Sequence, residues 1–202
     1  MKVRSASHGV RSAILVASDP CVAVRRWKIF SGRKAVGCPP LFSIPEILHA
    51  VGMLPVFPRP GEELRMLTPL MDECIRLPEL FPEGLEEALD WVESVAGWAE
   101  AVSGKACTDG ALERSIRFYR ERDALAAGLE APSNGASGGF PDPVTLRLVL
   151  DSGRFLPVET HTMLLADIFG QELQEDMPPV KADPDDDPLL FLARRGLSAR
   201  KP

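Results

Sequence analysis

The chain has 202 residues, of which 45% are hydrophobic and 26% are charged, as in ordinary globular proteins with one sizeable core. Its 23 Lys and Arg against 29 Asp and Glu give a net charge of −6, which argues against a nucleic-acid partner, because such a partner requires a basic face. No apolar run approaches the roughly 20 residues of a membrane helix, and the apolar piece 13–17 is too short for a signal peptide. We therefore predict a soluble, cytoplasmic protein without a membrane partner.

The four cysteines are widely spread and form no C-x-x-C pair; they are Cys21, Cys38, Cys74 and Cys107. This spacing disfavours a disulfide framework and favours reduced thiols.

The clearest predicted unit lies between residues 35 and 57. Residues 35–38 read as a short buried strand, and the prolines at 39 and 40 end it. Ser43 and Glu46 fit the S-x-x-E capping box of a helix that carries Ile47 and Leu48 on its apolar side. Residues 54–57 then form a second strand, so the pattern predicts a small βαβ-like unit.

The rest of the chain, from about residue 64, is predicted to be mainly helical. A short helix is expected within 64–75, in a stretch interrupted by prolines. Apolar residues at helical spacing predict a long helix from 85 to about 102, and Thr108 can cap a second one, so the two are expected to form a helical hairpin. Shorter helices follow Asp142 and Pro157. The fold class is therefore α/β and helix-rich.

We divide the chain into an N-terminal arm (1–30), a single helix-rich α/β domain (31–175) and a tail (176–202) that is predicted to be disordered. The stretch 131–141 has the Gly- and Ser-rich composition of a flexible loop. The aspartates between 183 and 187 lack the spacing of a calcium loop, which favours a solvated acidic linker.

Ser43, Glu46 and His49 are the candidate substrate-binding residues, at the turn where a strand meets a helix. A Glu and a His three residues apart on a helix could transfer a proton, and the same pair could equally be a cap and a surface hydrogen bond. Cys38 could bind a metal, but a small apolar role at the strand end is the better interpretation, because no second cysteine lies within ten residues. His161 falls in an apolar stripe and is predicted to be a core residue. No catalytic residue and no metal ligand is assigned.

Three segments, in order, resemble a known family. Residues 27–56, with PEILHAVGMLPV at 45–56, are similar to the N-terminal part of 2-hydroxyacyl-CoA dehydratase and benzoyl-CoA reductase subunits, of which 2-hydroxyglutaryl-CoA dehydratase is one. Residues 102–125 resemble the linker and helix that follow in that family, and residues 155–161 resemble its next segment.

The resemblance implies a shortened subunit or accessory of an iron–sulfur enzyme of anaerobic metabolism that acts on a CoA thioester. It also implies a [4Fe-4S] cluster, which the cysteines of this chain do not themselves support. A longer homologous subunit, an ATP-dependent activator and an acyl-CoA substrate would be the partners. If active, the chain would be a lyase or reductase component; the alternatives are a non-catalytic scaffold protein or a degenerate fragment of the family.

Overall fold

A computed structural model describes residues 8–76, 84–130 and 142–169. The contacts divide the chain into two compact units, one formed by residues 33–119 and the other by residues 1–32 together with 120–202. The predicted boundaries at 30 and 175 stay a prediction. The tail from 176 and the loop 131–141 lie outside the described residues.

A small parallel sheet organises the unit 33–119. Strand β1 (Ala35–Gly37) lies in the middle, between β2 (Leu54–Val56) and β3 (Glu73–Cys74). Val36 is opposite Pro55 in β2 and Glu73 in β3. Proline lacks the N–H that an inner strand needs, and β2 is an edge strand, where Pro55 is tolerated. The predicted βαβ-like unit is confirmed, and with it the helix-rich α/β class.

Helix α3 (Pro45–Ala50) connects β1 to β2. Its residues Ile47 and Leu48 are buried in a core that also contains Val36, Cys38 and Phe42. The predicted capping box is wrong: the N-cap residue is Ile44, its side chain makes no capping hydrogen bond, and Ser43 is exposed. Ser43 is one residue too early to serve as the cap.

Between β2 and β3 the chain forms α4 (Glu62–Leu67) and a 3-10 turn (Thr68–Leu70). The helix predicted within 64–75 therefore ends early. Pro69 contributes to this result, because proline cannot donate the next helical hydrogen bond. The chain then enters β3, where the N–H of Ile75 donates to the carbonyl oxygen of Gly37 over 2.9 Å.

The predicted pair of long helices is present as α5 (Leu85–Ser103) and α6 (Asp109–Glu130). Helix α5 ends at Gly104, which adopts the left-handed conformation with φ +72° that glycine allows at little cost. Val95 and Ala99 of α5 are buried against the core around α3. Helix α6 runs from the unit 33–119 into the other unit.

The segment 8–31 is helical, although the sequence predicted no element there. It forms α1 (His8–Ser18) and α2 (Pro20–Ser31). Asp19 accepts a hydrogen bond of 3.1 Å from the N–H of Val22, and Gly32 ends α2 in the left-handed conformation. The signals Asp-Pro at the start and Gly at the end were therefore present in the sequence.

The second unit also contains the predicted short helices, α7 (Pro143–Ser152) and α8 (Val158–Phe169). Helix α1 packs against both of them. Their shared core contains Val10, Ala13, Val149 and Leu165. Within the described ranges, no helix combines the length and the apolar character that crossing a membrane requires.

Candidate functional site

His49 is held by a hydrogen-bond relay between α3 and α6. The Ser115 hydroxyl is buried and donates to the carbonyl oxygen of Glu46 over 2.8 Å. His49 Nδ1 lies 2.8 Å from the same hydroxyl oxygen. Since the only proton of Ser115 is already donated to Glu46, Nδ1 must carry a proton and donate it to Ser115. The relay joins two elements that are 66 residues apart in the sequence.

Aromatic rings complete the surroundings of His49. The rings of Phe118 and Tyr119 make edge-to-face contacts with its imidazole, at centroid distances of 6.3 and 6.1 Å. His49 is thus integrated into the packing between α3 and α6. The predicted role of Ser43, Glu46 and His49 in substrate binding stays a prediction, and the contacts of His49 fit the alternative structural interpretation.

Cys38 lies in the apolar core at the end of β1. Its side chain is 2% exposed, and burial raises the pKa of its thiol far above the ordinary value. A thiol held in the neutral form is a poor metal ligand and a poor nucleophile. In the described part of the chain, no three His, Cys, Asp or Glu residues are grouped so that they could hold a metal. The [4Fe-4S] cluster stays untested.

A cavity of about 800 Å³ lies at the outer edge of the sheet in the unit 33–119, between β3 and α5. Its lining consists of the segment 71–76 together with Thr68, Trp91, Ser94, Val95 and Trp98. The four α5 residues are spaced i, i+3, i+4 and i+7, so they share one face of that helix. The volume falls within the range of about 300–1,000 Å³ that small-molecule sites occupy.

The charged groups of the cavity, Asp72, Glu73 and Arg76, come from the segment that contains β3. Asp72 has a structural role as well, because one carboxylate oxygen accepts a hydrogen bond of 2.8 Å from the N–H of Ala35 at the start of β1. Glu73, Cys74 and Arg76 are exposed. Trp91 is supported from the core side by an edge-to-face contact with Phe42, with ring centroids 6.3 Å apart.

The side chains of Met71 and Cys74 pack closely against Gly37 of β1. The position that a Cβ atom on Gly37 would occupy lies 2.5 Å from Met71 Sδ and 2.9 Å from Cys74 Sγ. Only a glycine allows both sulfur atoms to approach the centre strand so closely. This cavity was not predicted from the sequence, because a strand of two residues is too short to show an alternation of apolar and polar residues. The signal that was available is the pair Trp91 and Trp98, seven residues apart and therefore on one face of a helix.

No protein-family model matches the chain. The chain is similar to a probable malate:quinone oxidoreductase from Parasynechococcus marenigrum (strain WH8102), with 26% identity over 161 residues. The match covers 77% of this chain and 30% of that protein, so the chain spans less than a third of the relative's length.

The comparison overturns the predicted family. The similarity found is to an oxidoreductase of another kind, so the assignment to the 2-hydroxyacyl-CoA dehydratase and benzoyl-CoA reductase family is wrong. The predicted function as an iron–sulfur enzyme component acting on a CoA thioester is wrong on the same finding, which gives no better support to the alternatives drawn from that family. The apolar residues of the matching stretch are buried in the core of a βαβ unit; they are Ile47, Leu48, Val51, Leu54 and Val56. Unrelated proteins with parallel sheets also have apolar residues at such positions, so this part of the similarity is no evidence of a shared family. The longer subunit, the activator and the acyl-CoA stay untested.

Proposed function

We propose that the unit 33–119 is a small-molecule-binding module whose cavity between β3 and α5 takes an uncharged, planar ring compound of the quinone class. The observation that carries the proposal is the pair Trp91 and Trp98 on one face of α5, lining a cavity of ligand size. The proposal concerns binding, and it assigns no reaction to the chain.

The position of the cavity supports a binding role. The chain places β2 on one side of β1 and then returns to place β3 on the other side, so the strand order reverses at β1. In open parallel sheets, ligands bind outside the carboxyl ends of the strands near such a reversal. The lining includes Cys74, Ile75 and Arg76 at the carboxyl end of β3, and it also extends to Met71 and Asp72 before the strand.

The chemistry of the lining favours an aromatic-like ligand. Indole rings stack on planar rings with centroids about 4.5–7 Å apart, and such pairs contribute about 0.5–1.5 kcal/mol beyond the area that they bury. The guanidinium of Arg76 can donate hydrogen bonds to a ring carbonyl oxygen. Met71 and Ile75 supply apolar surface at the same edge.

The charges of the lining disfavour a dicarboxylate. Asp72 and Glu73 oppose the single cation of Arg76, so a dianion such as malate would meet more negative than positive charge. An uncharged quinone meets no such repulsion. The name of the similar protein contains both malate and quinone, and the charges of the cavity lining favour the quinone.

Tryptophan fluorescence provides a direct test. The chain contains Trp27, Trp91 and Trp98, and only the last two line the cavity. In a Trp27→Phe background, emission therefore reports on the cavity alone. A fully substituted short-chain ubiquinone analogue, which has no unsubstituted ring carbon for simple thiol addition, should quench this emission saturably, whereas malate should leave it unchanged.

N-acetyltryptophanamide, titrated with the same quinone, corrects for collisional quenching and for absorption by the quinone. Trp91→Phe and Trp98→Phe in the same background should each weaken the quinone affinity. Quenching that does not saturate, or that matches the free indole control, would remove the support for a quinone site. Saturable quenching by malate would instead favour a dicarboxylate ligand and contradict the proposed class.

A further inference from the structure

The outer face of α2 combines large apolar side chains with arginines. Val22, Ile29 and Phe30 have exposed fractions of 39%, 70% and 53%, although they are among the most hydrophobic residues of the chain. The opposite side of the helix, with Ala23, Val24 and Trp27, is buried. Because the buried side already packs α2 against the rest of this unit, the exposed apolar residues are not needed for that packing.

Two cations lie on the same outer face. Arg25 and Arg26 are exposed and follow Val22 by three and four residues, and Ile29 and Phe30 continue the stripe by another turn. Within the described residues, neither arginine forms an ion pair or a side-chain hydrogen bond. The sequence of α2 contains no acidic residue. We call this stripe, residues 22, 25, 26, 29 and 30, the outer face of α2.

The charge distribution along the chain matches this local pattern. Residues 1–32 contain six Lys and Arg and a single acidic residue, Asp19, whereas the remaining 170 contain 17 Lys and Arg against 28 Asp and Glu. The negative net charge therefore conceals a strongly basic N-terminal region. Helix α1 contributes a similar pair, since Arg11 and Leu15 are exposed and one helical turn apart.

We propose that the outer face of α2 binds the surface of a membrane containing anionic lipids, which replaces the prediction of no membrane partner, since that prediction considered only segments that span or enter a membrane. Helices that lie in the membrane interface insert Ile, Leu or Phe side chains among the acyl chains, while Arg or Lys contacts the lipid headgroups. The stripe offers both chemistries on one face of a twelve-residue helix. This proposal is independent of the quinone site, because α2 and the cavity belong to different units.

Other occupants fit the face less well. A nucleic acid would pair with the arginines but would leave Ile29 and Phe30 in water. A second copy of the chain, related by two-fold symmetry, would bring like-charged arginines together. The combined apolar and cationic character is therefore best matched by a lipid surface of negative charge.

The test is flotation of the full chain with two kinds of vesicle, pure phosphatidylcholine and a mixture of phosphatidylcholine with phosphatidylglycerol. Binding should require the anionic lipid and should weaken as salt is added. The double variant Arg25→Gln/Arg26→Gln should lower the apparent affinity by about 30-fold, from about 1 kcal/mol for each cation near the surface. Ile29→Gln/Phe30→Gln should also reduce binding strongly.

Matched controls exist elsewhere in the chain. Arg114→Gln/Arg117→Gln removes the same charge from exposed positions of α6, and Leu85→Gln/Leu89→Gln removes exposed apolar side chains from α5. Both control variants should float like the unchanged protein. Circular dichroism would establish that all four variants are folded.

The proposal is overturned if the chain fails to float with anionic vesicles. It is also overturned if the α2 variants and the control variants lose binding equally, since the effect would then be one of overall charge or hydrophobicity. Binding to a DNA or RNA oligonucleotide without binding to vesicles would assign the arginines to nucleic acid. Concentration-dependent dimers that the α2 variants abolish, without vesicle binding, would assign the face to a second copy.

Discussion

His161 of α8 donates a hydrogen bond from Nε2 to the carbonyl oxygen of Val149 in α7, over 3.0 Å. The other ring nitrogen, Nδ1, faces Gly153, where a Cβ atom would clash with the imidazole. Nδ1 is buried and has no hydrogen-bond partner in the described part of the chain. Burial lowers the pKa of His161 to about 4, because protonation of Nδ1 would place an uncompensated charge in the core.

This histidine should make the stability of the protein depend on pH. Between about pH 6.5 and about pH 4, the unfolded chain binds a proton at residue 161 that the folded protein does not bind. The free energy of unfolding should therefore fall as the pH is lowered through this window. The loss attributable to His161 should reach about 3 kcal/mol, complete below the folded pKa.

Urea unfolding of the wild type and of His161→Gln, compared across this range of pH, isolates the effect from the carboxylates that titrate in both proteins. The variant should show a shallower decrease in its free energy of unfolding. A pH titration of the His161 ring proton by NMR should independently give a pKa near 4. Equal decreases in the two proteins would contradict the assignment.

Substitution of alanine for Gly37 and for Gly97 should change the free energy of unfolding in opposite directions. A Cβ atom on Gly37 would lie 2.5 Å from Met71 Sδ and 2.9 Å from Cys74 Sγ, so Gly37→Ala should lower the free energy of unfolding by about 1–3 kcal/mol through overpacking. Gly97 lies within α5 and has no atom within 4 Å of its would-be Cβ. Gly97→Ala should raise the free energy of unfolding by about 0.5–1 kcal/mol, because alanine is the better helix former.

Thermal or urea unfolding of both variants tests the packing at the sheet edge. The control matters because both changes add the same methyl group, so that only the surroundings differ. If Gly37→Ala were as stable as the wild type, the side chains of Met71 and Cys74 would be able to move away from residue 37 at no cost in stability, and the overpacking argument would be wrong.

The local sequence was sufficient to predict the βαβ unit, because its strands are wholly buried and its connections are marked by Pro and Gly. It was insufficient for β3, since Glu73 and Cys74 are exposed and have no hydrophobic period. The strand depends on backbone pairing with Gly37, which is 37 residues earlier. Helices α1 and α2 were missed for a related reason, because α1 is stabilised by packing against the distant α7 and α8.

The candidate site was the least predictable part. Glu46 and His49 attract attention as titratable residues near a strand–helix turn, yet the carbonyl oxygen of Glu46 and the ring of His49 both bond to Ser115. A serine in the middle of a distant helix carries no local sign of such a role. The cavity likewise joins β3 to a helix that begins eleven residues after it, so neither segment alone indicates it.

Ser115 should therefore contribute to stability far more than its size suggests. Ser115→Ala would leave the carbonyl oxygen of Glu46 and the Nδ1 proton of His49 without this buried partner. The expected loss in the free energy of unfolding is about 1–3 kcal/mol. Ser94→Ala, at an exposed position of α5, should change it by less than about 0.5 kcal/mol. Urea unfolding of the two variants gives both free energies of unfolding. If the two variants lost similar amounts, the hydrogen bonds of Ser115 would not contribute to stability as predicted.

The cysteines provide a last prediction, which links the cavity to its proposed ligand. Cys74 is exposed and lines the cavity, whereas Cys38 is buried and its thiol pKa is raised by that burial. Cys107 is half-buried, and burial, followed by the nearby Glu100 and Asp109, raises its thiol pKa as well. Because alkylation requires an accessible thiolate, iodoacetamide should modify Cys74 first and Cys38 last. Peptide mass spectrometry over a time course would give the order.

A bound quinone should change only one of these rates. The fully substituted ubiquinone analogue should slow the alkylation of Cys74 several-fold, because the ligand would cover the thiol at the end of β3. Cys107, which does not line the cavity, serves as the internal control and should react at an unchanged rate. Slowing at both positions would indicate general stabilisation or consumption of the reagent. Unchanged alkylation of Cys74, under conditions in which the Trp91 and Trp98 emission is quenched, would place the quinone away from β3, because a ligand seated between β3 and α5 has to cover both elements.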